Sequence, residues 1–110
     1  MSPLLRTAIE QCLAGVDRRA VAQAARALSD AYRATPEHPV VRLDAHARLA
    51  YLATRFPATV AALRFVAREL AARLDLSSVE ELLELGAGPG PPRFATADLL
   101  PALALVHQVD

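Results

Sequence analysis

Glu84-Leu85-Gly86-Ala87-Gly88-Pro89-Gly90 places three glycines at alternate positions directly after a short apolar run. Glycine adopts positive φ without strain, and it lets a ligand approach the backbone because no Cβ is in the way. An acid followed two residues later by Gly-x-Gly-x-Gly therefore predicts a loop built for close contact with a bound molecule. A strand that leads into such a glycine turn and then into a helix is a recurring cofactor-binding unit.

Two other glycine-rich loops differ from this one. The dinucleotide fingerprint Gly-x-Gly-x-x-Gly would need its third glycine at position 91, where the chain has Pro91. The nucleotide phosphate loop ends in Gly-Lys-Ser/Thr, and the chain contains no lysine. What remains is an acid two residues before Gly-x-Gly-x-Gly, which matches neither of these two loops.

The segment Glu81–Leu85, before the glycines, allows two interpretations. Ser78 with Glu81 three residues later forms a capping box, and both Leu and Glu favour helix. The glycine run that follows favours a strand instead, and we predict a short buried strand. A helix from about Pro92 to Leu103 and a second, parallel strand over Leu105–Val109 are predicted to follow.

Asp110 is the second acidic residue of interest. It lies 20 residues beyond Gly90 and directly after the second predicted strand. In dinucleotide-binding folds an acid at this place accepts hydrogen bonds from the ribose hydroxyls. The order of glycine motif, helix, strand and acid is more specific than the glycines alone, and it predicts that Asp110 can bind the ribose of a cofactor.

The first 75 residues are predicted to form about four helices. Ser2-Pro3 starts the first helix, which runs to about Leu13 and carries Cys12 in the core. Asp17 caps the second helix, whose end is set by the two prolines of residues 35–39. The third helix is predicted from about Leu43 to Arg55. A fourth is predicted to start at Pro57 and to reach about Leu74. The apolar stripe of the second helix is Ala20, Val21, Ala24, Ala25, Leu28, Ala31 and Tyr32, and that of the fourth is Leu63, Val66, Leu70 and Leu74.

The fold class predicted from these patterns is helical followed by α/β. Residues 1–75 form an N-terminal helical bundle, and residues 76–110 form the truncated first β-α-β unit of a Rossmann-like domain. Residues 1–73 have a net charge of +5 and residues 74–110 a net charge of −5. The single cysteine excludes an internal disulfide, the three scattered histidines suggest no metal site, and no apolar run is long enough for a membrane span. We expect a cytoplasmic protein with no membrane partner and no DNA partner.

The glycine motif with its acid resembles motif I of class I S-adenosylmethionine-dependent methyltransferases. A narrower resemblance lies upstream, in the run Ala-Tyr-Leu-Ala-Thr-Arg-Phe-Pro-Ala-Thr at residues 50–59. That run, a helix and then the motif are similar to the methyltransferase-like family that acts with the small ribosomal subunit. This family includes mitochondrial small-subunit assembly factors and bacterial relatives. The resemblance covers about Asp44 to Asp110.

The resemblance implies a function in methylation of small-subunit rRNA or in assembly of that subunit, with rRNA or the subunit as partner. It also implies a binding site for S-adenosylmethionine, in which Asp110 holds the ribose and the loop lines the methionine end. The catalytic residue is unknown. The cofactor-binding residues are Glu84, Gly86, Ala87, Gly88, Gly90 and Asp110.

The chain departs from the family in two ways. Pro91-Pro92-Arg93-Phe94 stands where members carry a small residue and then an aromatic one, so two amide donors are lost beside the cofactor. The later strands of the domain and a later cysteine cluster are also missing. We therefore expect an N-terminal fragment that is inactive alone and whose open strand edge favours self-association.

A second function class remains open, namely a non-catalytic helical interaction or ribosome-assembly module with a remnant cofactor loop. Arginines of the helical half could contact RNA phosphates, although a solvated helix face with partners four residues away is the stronger explanation for them. These arginines are Arg42, Arg48, Arg55, Arg64, Arg68 and Arg73.

Overall fold

The computed structural model describes residues 2–34 and 44–110, which combine helices with a small parallel sheet. The chain divides into two compact units, Ser2–Pro57 and residues 58–110. None of the helices in the described ranges has both the length and the apolar character needed to cross a bilayer. In chain order the elements are α1 (Pro3–Leu13), α2 (Arg18–Ala34), α3 (Ala45–Ala50), a π-helical turn (Tyr51–Arg55), α4 (Phe56–Ala71), β1 (Glu81–Leu85), α5 (Pro91–Thr96) and β2 (Leu105–Val109).

The first two helices begin where the sequence predicted. The Ser2 hydroxyl accepts a hydrogen bond from the Leu5 amide at 3.2 Å, and the Asp17 carboxylate accepts one from the Arg19 amide at 2.9 Å. Every residue of the predicted stripe of α2 is buried or half-buried, so that prediction is confirmed. The predicted helix end at residues 35–39 lies outside the described residues, as does Leu43 at the predicted start of the third helix.

Cys12 is exposed, and its predicted place in the core is wrong. The inward face of α1 is formed by Leu5, Ile9 and Leu13, which are spaced four residues apart and are the half-buried or buried positions of that helix. Cys12 lies about 60° around the helix from the buried Ile9, because each residue turns the helix by about 100°. The thiol is therefore at the edge of the packed face, where it is exposed.

The predicted break at Pro57 is replaced by a π-helical turn. In an α-helix, the Pro57 ring would clash with the carbonyl four residues earlier and would leave it without a donor. The structure widens the helix just before this residue, and the Phe56 amide bonds to the Tyr51 carbonyl five residues back. Helical backbone therefore continues from α3 into α4, whereas the sequence predicted two separate helices.

Helix α4 buries only part of the stripe predicted for it, since Leu63 is half-buried and the other three positions are exposed. Phe56 and Val60 are buried, whereas Val66 and Leu70 are exposed, as is Leu74 just beyond the helix. The Arg64 guanidinium makes two hydrogen bonds of 2.6 Å to the Asp98 carboxylate and one of 3.3 Å to the Ala95 carbonyl. These bonds hold Arg64 against the segment that begins with α5. Apolar periodicity was therefore right at Leu63 and wrong at the three later positions of the stripe.

The two strands are parallel and adjacent, in a register that pairs Glu81 with Leu105 and Leu85 with Val109. The strand predicted at Glu81–Leu85 is therefore confirmed, and the alternative helix there is wrong. The predicted burial of this strand is also wrong, because Glu84 is its one buried residue and Leu83 and Leu85 are exposed. Helix α5 is shorter than predicted, because it ends at Thr96 instead of about Leu103. Pro101 disfavours helical backbone at the residue before it. The domain boundary predicted between residues 75 and 76 remains a prediction. The compact unit that holds the sheet starts earlier, at residue 58, and so includes most of α4.

Candidate cofactor-binding site

The glycine loop and Asp110 leave the sheet at the same edge. Leu85 and Val109 are paired neighbours at the carboxyl ends of the two parallel strands, which is the edge where ligands bind in parallel sheets. The Gly88 amide donates a hydrogen bond of 2.8 Å to the Asp110 carboxylate, across 22 residues of sequence. The structure therefore brings together the two features that the sequence singled out.

All three loop glycines have positive φ, with values of 62° at Gly86, 49° at Gly88 and 71° at Gly90. A Cβ added at Gly86 or Gly88 would meet nothing within 4 Å, so the space beside these two residues is open. A Cβ at Gly90 would collide with the Gln108 amide nitrogen and lie 3.0 Å from a Glu84 carboxylate oxygen. Gly90 is therefore needed for internal packing, and the other two leave room beside the backbone.

Glu84 is buried, with 2% of its surface exposed. One carboxylate oxygen accepts a hydrogen bond of 2.6 Å from the Arg93 amide, and the other accepts one of 2.6 Å from the Gln108 side-chain amide. Pro91 and Pro92 occupy the first two positions of α5 and have no N–H, so Arg93 is the first residue of this helix that can donate. Glu84 thus caps α5, as an acid at a helix N-terminus does favourably.

Gln108 is a site residue that the sequence prediction missed. It is the register partner of Glu84, so both side chains point to the same face of the sheet. The signal was present in the predicted strands, because placing them side by side in parallel brings residue 84 opposite residue 108. The register between the strands, which the sequence alone did not supply, was needed to see it.

The backbone amides of the loop are used within the chain. The Ala87 amide donates to the Val109 carbonyl at 3.1 Å, and the Gly90 amide donates to the Ala87 carbonyl at 2.8 Å. The Gly88 and Arg93 amides donate to the two carboxylates, and positions 89, 91 and 92 are prolines. Phosphate-binding loops work by pointing free N–H groups at the anion. From residue 87 to residue 93 no backbone amide of this loop is free to bind an anion. The charged neighbours of the loop are the acidic Glu84 and Asp110 and the basic Arg93, whose Nε would lie 3.5 Å from a Cβ at Gly90.

Ala87 lies in the loop but is almost fully buried, with 4% exposed. Its side chain therefore packs inside the protein and is not placed to line an open pocket. Among the described residues, no group of three or more His, Cys, Asp or Glu side chains is arranged to hold a metal ion.

Several arginines that the sequence suggested for RNA contact have partners within the chain. Arg55 lies over the Tyr32 ring, with 4.2 Å from its guanidinium carbon to the ring centre. Arg73 pairs with Glu69 at 3.3 Å. Arg64 binds Asp98, and this hydrogen bond lowers the pKa of the Asp98 carboxyl to about 2 and raises the pKa of Arg64. Arg42 lies outside the described residues.

No family model, curated protein or solved structure matches the chain.

Proposed function

We propose that the loop between β1 and α5, with Asp110, binds S-adenosylmethionine as the first β-α-β unit of a Rossmann-like methyltransferase domain. The observation that carries this proposal is the hydrogen bond between the Gly88 amide and the Asp110 carboxylate. It places an acid after the second strand against a glycine loop after the first. This is the arrangement that nucleoside-containing cofactors use in parallel sheets.

The chemistry of the loop favours a cationic ligand over a phosphate. Its amides are occupied, residues 74–110 carry a net charge of −5, and Glu84 and Asp110 lie on either side of the glycines. A dinucleotide would have to break internal hydrogen bonds to seat its pyrophosphate. The ammonium and sulfonium of S-adenosylmethionine do not require free amides, so the internal hydrogen bonds can stay in place, and the nearby negative charge attracts both groups.

In this proposal the chain's own residues bind and orient the cofactor. Gly86 and Gly88 provide the open space beside the backbone, and Asp110 accepts a hydrogen bond from a ribose hydroxyl. Glu84 acts from beneath the loop, since its carboxylate is buried and holds α5 in place. When bound, the cofactor supplies a methyl group on a sulfonium, ready for transfer to a nucleophile.

The acceptor proposed for the whole enzyme is RNA of the small ribosomal subunit. This part of the proposal rests on the run at residues 50–59, which resembles the methyltransferase-like family acting with that subunit. In the structure this run contains the π-helical turn Tyr51–Arg55 and the start of α4. π-Helical turns are frequent at functional sites, which supports a role for the segment beyond helix continuity.

A second candidate function is a helical interaction module with a remnant loop. The hydrogen bonds of Glu84 and Asp110 favour it, because both carboxylates already have partners within the chain. A loop satisfied in this way is stable without a ligand. The two candidates differ in one measurable property, which is whether the loop binds S-adenosylmethionine at all.

Titration of the isotope-labelled chain with S-adenosylmethionine, followed by amide NMR spectra, separates the candidates. We expect a dissociation constant on the order of 1 mM, because one wall of a pocket leaves most of a ligand wet. Shifts should centre on the amides of Gly86, Gly88 and Gly90, and NAD at equal concentration should leave them unchanged. Absence of shifts up to the solubility limit, or equal shifts with NAD, would favour the interaction module.

A matched pair of variants controls for the fold. Gly15 and Gly88 both have positive φ and open space at the Cβ position, so a side chain with a Cβ at either position costs at least about 1–2 kcal/mol of backbone strain. Gly15 lies in the other compact unit. Gly88→Val should abolish the shifts, because a branched side chain fills the ligand space, and Gly15→Val should preserve them. Loss of binding in both variants would show that Gly88→Val acts by destabilising the fold and not by filling the ligand space.

A further inference from the structure

The exposed face of α2 carries three arginines spaced seven residues apart, Arg19, Arg26 and Arg33. Because seven residues bring an α-helix back to within about 20° of the same direction, these side chains form a single arginine stripe along the helix. Val21 and Leu28 are the buried residues of α2, and each lies about 140–160° around the helix from Arg26. The arginine stripe therefore lies opposite the packed face.

The cations of the arginine stripe are available to an external anion. Arg19 and Arg26 have no ionic partner among the residues that the structure describes. The Arg33 guanidinium lies 3.7 Å from the Asp30 carboxylate, and the two side chains are 78% and 75% exposed. Ion pairs as exposed as this one contribute little, so Arg33 can exchange its partner at small cost. Arg64 differs, because two short hydrogen bonds hold its guanidinium within the chain.

A shallow hollow of about 400 Å³ lies between the last two arginines of the stripe. Arg26, Ser29 and Arg33 line it, together with Ala25 and Asp30. Guanidinium groups and hydroxyls are donors that proteins use to bind phosphate oxygens. The hollow therefore offers three such side chains to one phosphate group, and Asp30 is the one acid that opposes the binding of an anion there.

The length of the arginine stripe fits a regular row of phosphates. It extends about 21 Å along α2, because an α-helix rises about 1.5 Å per residue. A nucleic-acid duplex carries one phosphate charge per about 1.7 Å of its axis, so a stretch of this length presents about a dozen phosphates. Arginine suits such contacts, because its planar guanidinium can bind two phosphate oxygens at once.

The side chains of α2 favour a duplex over a single strand. Proteins bind single strands largely by stacking bases on exposed aromatic side chains. Tyr32 is the one aromatic residue of α2, and it is half-buried. Its ring also lies under the Arg55 guanidinium, whose carbon is 4.2 Å from the ring centre. The exposed face of α2 therefore has groups for a phosphate backbone and none for stacking on bases.

We propose that the arginine stripe binds the phosphate backbone of double-helical RNA, with one phosphate for each arginine. The choice of RNA rests on the proposed function, whereas the phosphate contacts rest on the stripe alone. The stripe lies outside residues 44–110, which carry the family resemblance, and it belongs to the compact unit Ser2–Pro57, which does not contain the glycine loop. RNA binding and cofactor binding can therefore fail independently.

Fluorescence anisotropy of the full chain with a labelled RNA duplex of about 20 base pairs tests the proposal. Three phosphate contacts predict that the affinity falls about fortyfold between 50 and 200 mM salt. Arg26→Gln should weaken binding about tenfold at the lower salt concentration and reduce the salt slope by about one. Arg73→Gln is the matched control, because it removes the same charge from a helix position in α4 that is 76% exposed. It should change the affinity by less than about twofold.

Asp30→Asn provides a variant with the opposite expected sign. It removes the carboxylate from the hollow and frees Arg33, so RNA should bind about threefold more tightly. Far-UV circular dichroism checks that each variant keeps its helix content.

Four results would overturn the proposal, namely no RNA binding at 50 mM salt, equal effects of Arg26→Gln and Arg73→Gln, weaker binding by Asp30→Asn, or tighter binding of a DNA duplex of equal length. Cofactor binding is measured separately by the NMR titration, so a failure of the arginine stripe is distinguishable from a failure of the proposed cofactor site.

Discussion

Glu84→Leu should destabilise the protein strongly, because it removes a buried acceptor from two donors. Each hydrogen bond to a charged group contributes about 1.5–3 kcal/mol, and Glu84 accepts two of them at 2.6 Å. The Gln108 side chain is partly exposed and can turn to water, so we discount its share. The expected loss is about 2–4 kcal/mol, a large fraction of the about 5–15 kcal/mol typical of a domain.

Urea denaturation followed by far-UV circular dichroism measures this loss as a change in the free energy of unfolding. The matched control is Glu81→Leu, which makes the same substitution in the same strand at a side chain that is 67% exposed. Exposed positions usually change stability by about 0.5 kcal/mol or less, and the bond to His107 adds little. Glu84→Gln should fall between the two, because an amide oxygen still accepts from Arg93. A loss for Glu84→Leu no larger than for Glu81→Leu would refute the capping role.

Four further predictions follow from the loop and its supports. Gly90→Ala should lower the melting temperature more than Gly88→Ala, because both pay about 1–2 kcal/mol for positive φ and only position 90 also collides with neighbouring side chains. The pKa of Asp98 is lowered to about 2 by Arg64, so this pair stabilises the fold above about pH 4 and ceases to do so as the pH falls through about 2. Acid titration of Asp98→Asn should therefore show a smaller loss of stability between pH 4 and pH 2 than the unmodified chain, and an identical loss would contradict the pairing. Asp110→Asn should keep the loop amide shifts of the free protein, since its carbonyl oxygen still accepts from Gly88, but should weaken S-adenosylmethionine binding at least tenfold in the NMR titration. The chain alone should transfer no radiolabelled methyl group to purified small ribosomal subunits; incorporation above background that disappears in Asp110→Ala would show that these residues suffice for turnover.

The glycine loop and its strands could be predicted because the relevant signals are local. Alternate glycines after an apolar run require positive φ at specific positions, and the strand–turn–helix order follows from them. The acid at position 110 could be placed beside the loop because parallel strands of equal length end at one edge. The signals for the helix starts at Ser2 and Asp17 were also local, since each side chain accepts a hydrogen bond from an amide within four residues.

The errors arose where a contact distant in sequence outweighs the local pattern. Apolar spacing in α4 extended the buried stripe to Val66 and Leu70, which are exposed, whereas the bonds from Arg64 to Asp98, 34 residues away, bury the part of the helix around residue 64. The role of Glu84 in binding a cofactor stays a prediction. The sequence did not indicate that Gln108 and the Arg93 amide already bind its carboxylate, and the contact with Gln108 follows only from the strand register. Pro57 marked a helix boundary by ordinary rules, and the π-helical turn that accommodates it has no sequence signature of its own.

The internal hydrogen bonds of the loop do not by themselves prevent a ligand from binding, because a carboxylate can accept more hydrogen bonds than Glu84 and Asp110 accept within the chain. Each carboxylate has about four lone-pair sites. Asp110 can therefore keep the Gly88 amide and still accept a ribose hydroxyl, so binding need not break the loop. Glu84 is different, because it is buried and both of its oxygens hold α5 and β2. The two acids of the predicted site thus have separate tasks, because Glu84 shapes the loop and Asp110 can still bind a ligand. In such a cofactor site, substitution of Asp110 would lower the affinity for the ligand, whereas substitution of Glu84 would disrupt the loop itself.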